Sequence, residues 1–485
     1  VNDRALWFYE TKMSCVLMEF KVRPIEVPGD DPFKNDKLKR KSEIENLSNL
    51  VKNINPPTVL SINSPWGTGK TTFIKMWKSY LEKNNVASLY FNAWETDFAE
   101  DPLVAFLGEM NSLLGDFLNK QGQKNEAWEK TIKIGAHIAK KGIPALIKVL
   151  TSGLIDAEKI MEDEAAKLAE GLSKDAIGAY EDTKSSITEF KINLNKVVED
   201  VCAESKKKPL IIFVDELDRC RPTYAIELLE RIKHLFDIEN IIFVLALDKE
   251  QLSHSVKSVY GSDFEATGYL RRFIDIEYSL KTPDIKSYID FLFNTLGFES
   301  FFEERKVYRE FQYERRNLLD TFNLLVNAYK LTLREVEHLL SRVNMVIKAT
   351  EIDLYIYPNL LAFLIITREK NRAKYERYLN DLNEPKEMIA HFYSLFNKKQ
   401  RILSHECALI EGFLINAKSG RYESNIGDAL KIHEEIMKSD ATDDEKKYSE
   451  KVIHVATSSL DGWGINLESL VDRIEMLEQF NFDNT

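Results

Sequence analysis

Four short segments rich in hydrophobic residues stand out along the chain, at 58–63, 86–94, 211–218 and 240–248. Their hydrophobic residues are continuous and bounded by charge, and they lack the alternation of a strand with one solvent face. Continuous runs of this kind are typical of strands covered on both faces. The pattern therefore predicts an α/β fold in which a parallel sheet is sandwiched by helices.

Elsewhere the hydrophobic residues recur at spacings of three and four, which predicts amphipathic helices. One such helix is expected within 34–51 and ends before Pro56 and Pro57, and another at 71–83. The long Glu/Lys/Ala-rich region between the second and third strands is expected to be a helical insertion, and the chain is again helical from about 283 onward, including 332–347. The predicted buried faces are Ile44, Leu47, Leu50 and Val51; Phe73, Ile74, Trp77, Tyr80 and Leu81; and Ile187, Phe190, Leu194, Val197 and Val201.

Composition narrows the class of protein. The 485 residues are 44% hydrophobic and 30% charged, which fits a globular chain. A net charge of −12 argues against a surface that coats nucleic acid, although a local basic patch is compatible with it. The four cysteines are scattered, as in a reduced cytoplasmic protein. Since no stretch approaches the ~18 apolar residues of a membrane-spanning helix, we expect a cytoplasmic location and no integral membrane span.

Residues 61–72, SINSPWGTGKTT, lie between a predicted strand and a predicted helix, the context of a phosphate-binding loop. Gly67 and Gly69 give the backbone freedom to turn consecutive N–H groups toward phosphate oxygens. Lys70 supplies a positive charge for the β- and γ-phosphates, and the Thr71 hydroxyl a magnesium ligand. The alternative is a glycine turn with an exposed lysine. The predicted nucleotide-binding residues of the loop are Pro65, Trp66, Gly67, Thr68, Gly69, Lys70, Thr71 and Thr72.

Ser64 stands where the usual loop has its first glycine. A residue before a proline favours the extended region, and Ser64 precedes Pro65. The serine is therefore compatible with the loop, and Ser64→Gly is expected to be nearly neutral for ATP binding.

The stretch LIIFVDELDRC at 210–220 supplies the acidic half of such a site, because carboxylates follow a hydrophobic strand. We expect Asp215 to be a magnesium ligand and Glu216 to be the base that activates water, with Asp218 as a rival for that role. The alternative is that these acids only begin the next helix, where negative charge is favourable.

Four further residues are weaker candidates. Asp248, after the fourth strand, is placed to sense the γ-phosphate or simply to cap a helix. Arg271 and Arg272 are either arginines that reach a neighbouring subunit's nucleotide or a solvated basic pair. Arg334 is a possible second phosphate-sensing arginine. The basic and aromatic segment at 301–316 is interpreted as a solvated amphipathic face in preference to a nucleic-acid contact.

Taken together, SPWGTGKTTF, FNAW, FVDELDRCRP, FVLALD and YLRRFI resemble the KAP family of P-loop NTPases over about residues 33–350. The resemblance implies an ASCE-type sheet (additional strand, catalytic glutamate), ATP with magnesium, and a helical lid whose sensor arginine corresponds to Arg334. Many members carry membrane-spanning helices in the insertion, whereas residues 111–200 are too polar here. Prokaryotic relatives are linked to exclusion of bacteriophages and to phage-defence operons.

These observations predict six regions and one leading function. We expect an ATPase that couples nucleotide state to a conformational or assembly change, acting as a homo-oligomer or with an effector protein from the same operon. A nucleotide-gated scaffold with little turnover is the alternative, and the preference for ATP over GTP stays open. The regions are an N-terminal extension at 1–32, the NTPase core at 33–110 and 201–283, the helical insertion at 111–200, a helical lid at 284–350 and a C-terminal helical domain at 351–485.

Overall fold

The computed structural model describes residues 25–54, 57–118, 125–141, 174–205, 209–281, 284–380, 385–416, 423–457 and 467–479. They belong to two compact units, one ending at residue 283 and one beginning at residue 284, which are considered separately. Most of the predicted N-terminal extension and residues 142–173 of the predicted insertion lie outside the described residues.

The first unit is built on a five-stranded sheet in which every neighbouring pair is parallel, with the order β2-β3-β4-β1-β5. Strand β4 lies between β1 and β3, which is the additional strand expected of an ASCE-type sheet. The predicted α/β class is confirmed, and a fifth strand follows the arginine pair. The strands are β1 Thr58–Asn63, β2 Ser88–Asn92, β3 Leu210–Asp215, β4 Ile241–Leu247 and β5 Ile276–Ser279.

Eight helices of the first unit flank this sheet among its described residues. The strand predicted at 211–218 is shorter in the structure, because β3 ends at Asp215. Asp218 lies in a short 3-10 turn, Leu217–Arg219. The helices are α1 Lys41–Asn53, α2 Lys70–Lys83, α3 Pro102–Leu118, α4 Glu126–Lys141, α5 Lys174–Ser205, α6 Pro222–Leu235, α7 Lys249–Tyr260 and α8 Ala266–Leu270.

Side chains of the sheet alternate between two hydrophobic cores, because successive residues of a strand point to opposite faces. On one face Phe213 packs edge-on against Trp77 of α2, with ring centroids 5.2 Å apart. On the other face Phe243 contacts Phe106 of α3 and Phe236 after α6. Both faces are therefore covered, as the continuous hydrophobic runs predicted.

The predicted helical faces are largely correct. In α5, Phe190, Leu194, Val197 and Val201 are buried and Ile187 is half-buried. The predicted residues of α2 are also buried, apart from the half-buried Tyr80. The prediction that Leu50 is buried is wrong, because this residue of α1 is 42% exposed. Helical spacing does not exclude this outcome, because the burial of a residue at the edge of an apolar face depends on what covers that edge.

The second unit is helical throughout its described residues, which confirms a helical C-terminal region. Its helix Leu333–Lys348 begins at a capping box formed by Thr332 and Glu335. No helix that the structure describes is long and apolar enough to cross a membrane. The helices are α9 Ile285–Thr295, α10 Phe298–Glu304, α11 Glu314–Tyr329, α12 Leu333–Lys348, α13 Pro358–Lys370, α14 Arg372–Asn380, α15 Pro385–Ser394, α16 Lys398–Leu403, α17 His405–Asn416, α18 Glu423–Lys438, α19 Asp443–Thr457 and α20 Leu467–Gln479.

The basic segment at 301–316 contains a buried ion pair that neither interpretation of the sequence anticipated. Arg305 is 1% exposed and donates to both carboxylate oxygens of Glu314, from Nε at 2.8 Å and from Nη2 at 3.0 Å. Its guanidinium also donates to the carbonyls of Ile352 and Leu354. Arg315 and Arg316 pair with Glu299 and Asp320, in keeping with a surface neutralised by its own acids.

We expect Arg305→Met to destabilise this unit by about 3–5 kcal/mol, because Glu314 would be left as a buried charge without its partner. The double variant Arg305→Met/Glu314→Leu removes both charges and should recover most of that loss. Denaturant unfolding of the whole chain measures the difference. Arg316→Met is the control, since that side chain is 79% exposed, and a loss as large as that of Arg305→Met would contradict the expectation.

Candidate nucleotide-binding site

The phosphate-binding loop leaves β1 at Asn63 and enters α2 at Lys70. Gly67 and Gly69 have φ angles of 74° and 87°, the left-handed region that residues with a Cβ avoid. Gly69 immediately precedes α2, whose first N–H groups have no partner within the helix. The two glycines predicted from the motif therefore occupy the conformations that require them.

Lys70 lies inside the loop and is 8% exposed. Its Nζ donates to the carbonyl oxygens of Ser64 at 2.5 Å and Pro65 at 3.1 Å. Burial lowers the pKa of Lys70 below the usual lysine range, and the carboxylates of Asp218 and Asp248 act in the opposite direction. The ammonium group is thus held in the loop by carbonyl dipoles, in the place where a bound phosphate would offer it a full negative charge.

Ser64 has a role that the motif did not reveal. Its Oγ lies 2.7 Å from the Thr68 Oγ1, and Thr68 in turn donates to the Pro65 carbonyl at 2.7 Å. The backbone N–H of Ser64 donates to the Leu247 carbonyl of β4. The prediction that Ser64→Gly is nearly neutral stays a prediction, but glycine would remove one hydrogen bond from within the loop.

The two predicted magnesium ligands lie together. Asp215, at the end of β3, is 1% exposed and accepts a hydrogen bond from the Tyr90 hydroxyl at 3.0 Å, and the Thr71 hydroxyl is the other donor group that acts on this carboxylate. Burial raises the pKa of Asp215, and these donors oppose the rise. A hydroxyl and a carboxylate suit Mg²⁺, which usually takes one or two carboxylates plus substrate phosphates, so the donor set fits that ion. No cluster of three or more His, Cys, Asp or Glu side chains suited to a metal occurs in the described parts of the chain.

Glu216 follows Asp215 with a φ of 61°, an uncommon backbone conformation for a residue other than glycine. Its Oε1 accepts from Arg219 Nη1 at 2.6 Å and its Oε2 from Asn92 Nδ2 at 3.3 Å. Asn92 is the last residue of β2, the neighbour of β3 in the sheet. The carboxylate predicted to act as base is therefore held between a cation and an amide beside Asp215.

Asp218, the rival base, is 6% exposed. Its Oδ2 accepts from the Trp66 indole Nε1 at 2.6 Å and from the backbone N–H of Asp248 at 2.8 Å. The residue thus connects the phosphate-binding loop to the end of β4, and no local sequence pattern predicts that contact.

Asp248 caps α7, accepting from the backbone N–H groups of Glu250 and Gln251 at 3.1 and 3.3 Å. The next N–H, of Lys249, donates to the Asn63 Oδ1 at 3.1 Å, and the Asn63 amide donates to Glu277 of β5. Asp248 therefore caps a helix, as one of the two interpretations predicted, and it does so at the same edge of the sheet as the phosphate-binding loop. A role for Asp248 in sensing phosphate remains a prediction.

The predicted arginines are not brought to the loop within this unit. Arg271 and Arg272 are exposed and lie in the turn between α8 and β5. The backbone N–H of Asp275 donates to the Val59 carbonyl, so this turn lies near the start of β1, whereas the loop follows the end of β1. Arg334 belongs to the second unit, where it is an exposed residue in the first turn of α12.

The order of the strands, the loop and the acidic residues after β3 together define a P-loop NTPase. Residues 40–349 match the model of the KAP family P-loop domain, so the chain belongs to the KAP family. Both the fold and the family therefore indicate that the chain binds nucleotide. Among curated proteins, no sequence matches the chain significantly.

Solved structures resemble the chain only loosely. The crystal structure of a DNA replication initiation factor is 13% identical, with 93% of this chain and 97% of that chain covered and a TM-score of 0.27. The Aeropyrum pernix ORC2 protein in ADPNP-ADP complexes is 12% identical, with 91% and 94% covered and a TM-score of 0.31. Because both scores are below 0.5, the assignment depends on the strand order and the family match.

We expect Gly69→Val to abolish nucleotide binding, because valine is strongly disfavoured at a φ of 87°. Calorimetric titration with ATP measures the effect. Gly108→Ala is the control: that glycine lies in α3 with no atom within 4 Å of an added Cβ, and it should bind as wild type does. Retention of wild-type affinity by Gly69→Val would contradict the assignment of the loop.

Proposed function

We propose that this protein is a magnesium-dependent ATPase that couples ATP binding and hydrolysis to a conformational or assembly change. One observation carries the proposal: the loop around Lys70, the Thr71–Asp215 pair and the Glu216 carboxylate meet at the carboxyl edge of the sheet. A phosphate site, ligands for a divalent cation and a base are the parts that phosphoryl transfer to water requires.

Each group has a distinct part in that reaction. The loop N–H groups and Lys70 bind the phosphates and stabilise the charge that develops during transfer. When bound, magnesium would neutralise phosphate charge, with Thr71 and Asp215 as its ligands in the protein. Glu216 orients the attacking water and accepts its proton, while Asp218 remains the alternative for that role. Thr72 and Asp248 complete the proposed nucleotide site.

One feature favours the alternative, a nucleotide-gated scaffold with little turnover. Both carboxylate oxygens of Glu216 accept hydrogen bonds, from Arg219 and from Asn92. A base in this arrangement has to exchange at least one of these partners for water before it can act. If nucleotide binding does not release Glu216, the chain would bind ATP or GTP and recruit an effector without efficient hydrolysis.

The setting we propose is a bacterial antiphage defence or exclusion system, in which the protein acts as a homo-oligomer or with an effector from the same operon. Support comes from the resemblance to prokaryotic members of the family. For the oligomer, it comes from Arg271 and Arg272, which are exposed and lie in a turn near the start of β1, whereas the loop follows the end of β1. Arg334 is proposed as the sensor arginine of the lid.

We expect Lys70→Ala to lose both ATP binding and hydrolysis, because the loop would lose its positive charge. Glu216→Gln should retain ATP affinity and lose at least about 100-fold in turnover, a typical contribution of general base catalysis. Calorimetry and a phosphate-release assay with and without magnesium measure the two properties. Glu109→Gln, an exposed acid on α3, is the matched control and should behave as wild type.

The outcomes separate the two functions. Wild-type protein that fails to bind ATP would overturn the proposed function. Binding with turnover below about 0.1 s⁻¹, against a median of about 10 s⁻¹ for enzymes, together with nucleotide-dependent assembly, would favour the scaffold.

A mixing experiment tests whether the arginine pair acts on a neighbouring subunit. Lys70→Ala and Arg271→Ala/Arg272→Ala should each be inactive alone, and an equal mixture should recover ATPase activity because each supplies what the other lacks. The control mixture combines Lys70→Ala with Glu216→Gln, which damage the same site in each subunit and should not complement. No recovery in the first mixture would argue against a role in trans.

A further inference from the structure

Asp218 is the point at which three segments of the carboxyl edge of the sheet meet. Its Oδ2 accepts the Trp66 indole N–H, from the loop after β1, and the Asp248 N–H, from the end of β4. Asp218 itself follows β3. Since β4 lies between β1 and β3, one carboxylate oxygen connects all three loops.

This connection depends on its donors. A carboxylate with 6% exposure is stable in its charged form only when hydrogen bonds replace the lost water. Hydrogen bonds to a charged acceptor are short and strong, and the distances of 2.6 and 2.8 Å are of that kind. The indole N–H can only donate, which suits a carboxylate acceptor, and phenylalanine at this position would have no donor to offer.

The same contact argues against Asp218 as the base. Asp218 Oδ2 already accepts two hydrogen bonds, so only Oδ1 could take a proton from water, and that would require the buried side chain to keep its contact with Trp66 while it reacts. The Glu216 side chain is more accessible, at 14% exposure, and directly follows Asp215. The Asp218 charge also opposes the effect of burial on the Lys70 pKa, which is a supporting role toward the loop.

We propose that Trp66 and Asp218 are a positioning pair: their hydrogen bond holds the phosphate-binding loop against the end of β4 and sets the affinity of the loop for nucleotide. The pair acts through Lys70 and the loop N–H groups, and Glu216 alone serves as base. This inference rests on the proposed function for its kinetic test, but not for its structural test.

The kinetic test uses Trp66→Phe, Asp218→Asn and the double variant, with ATP affinity measured by calorimetry and kcat by phosphate release. Trp66→Phe should weaken ATP binding at least about tenfold, as loss of a hydrogen bond to a charged acceptor does, with kcat changed less than about threefold. In the Asp218→Asn background the same substitution should change affinity less than about threefold, because the two residues share one contact. Trp94→Phe is the control. Trp66 and Trp94 are both exposed, at 42% and 54%, but the Trp94 ring faces Arg219.

Three results would overturn the proposed pair. The first is wild-type ATP affinity in Trp66→Phe, and the second is a double variant in which the two effects on affinity multiply. The third is an Asp218→Asn variant that loses turnover at unchanged affinity while Trp66→Phe keeps wild-type affinity and turnover. The last result would identify Asp218 as the base.

Amide hydrogen exchange on the nucleotide-free chain tests the pair even if the protein does not hydrolyse ATP. Peptides covering 64–70 should exchange at least about tenfold faster in Trp66→Phe, since the loop opens more often, and should be unchanged in Trp94→Phe. Equal exchange in Trp66→Phe and wild type would overturn the inference. Failure of ATP binding in wild type with faster exchange in Trp66→Phe would reject the proposed function alone.

Discussion

The parallel pairing of β4 with both β1 and β3 is the constraint on which the site depends. In its register Leu247 is opposite Asn63 and Ala246 is opposite Asp215, so the ends of the two motif-bearing strands are nearly level. Two strand spacings, roughly 10 Å, separate them. That gap is narrow enough for single side chains to cross, and Asp218 crosses it to meet Trp66.

Negative charge is concentrated at this edge of the sheet. Lys70 is surrounded by three carboxylates, those of Asp218, Asp248 and Asp215. Polar donors compensate these acids, among them the Tyr90 hydroxyl and the Asp248 N–H. A polyphosphate arriving without a cation would face the repulsion of these acids at close range, where a low dielectric strengthens it. A divalent cation removes that repulsion, which is a physical reason to expect ATP to bind as its magnesium complex.

Local pattern was sufficient for the fold class and for part of the site. Hydrophobic runs identified the buried strands, and motif spacing was enough to predict Gly69, Lys70, Thr71 and Asp215 as one site, because each of these predictions depends on residues close in the chain. Side chains that act across the sheet were missed. Asn63, Tyr90 and the partner of Trp66 are defined by which strands become neighbours, and no local spacing carries that information.

The same limit explains why the burial of Arg305 was not predicted. Arg305 lies in a sequence that resembles a charged surface, and its burial follows from a carboxylate and carbonyl groups supplied by other segments. Arg271 and Arg272 come just before β5, and because β5 is parallel to β1 the turn that carries them lies near the start of β1.

The left-handed backbone at Glu216 has a consequence for any attempt to improve this protein. A residue with a Cβ pays about 1–2 kcal/mol to adopt that conformation, and glycine does not. Screens for thermal tolerance reward substitutions that relieve such strain and do not test chemistry. Where the relieved strain exceeds the loss of the hydrogen bonds from Arg219 and Asn92, directed evolution toward a hardier protein would favour Glu216→Gly, and such variants no longer carry the carboxylate proposed as base.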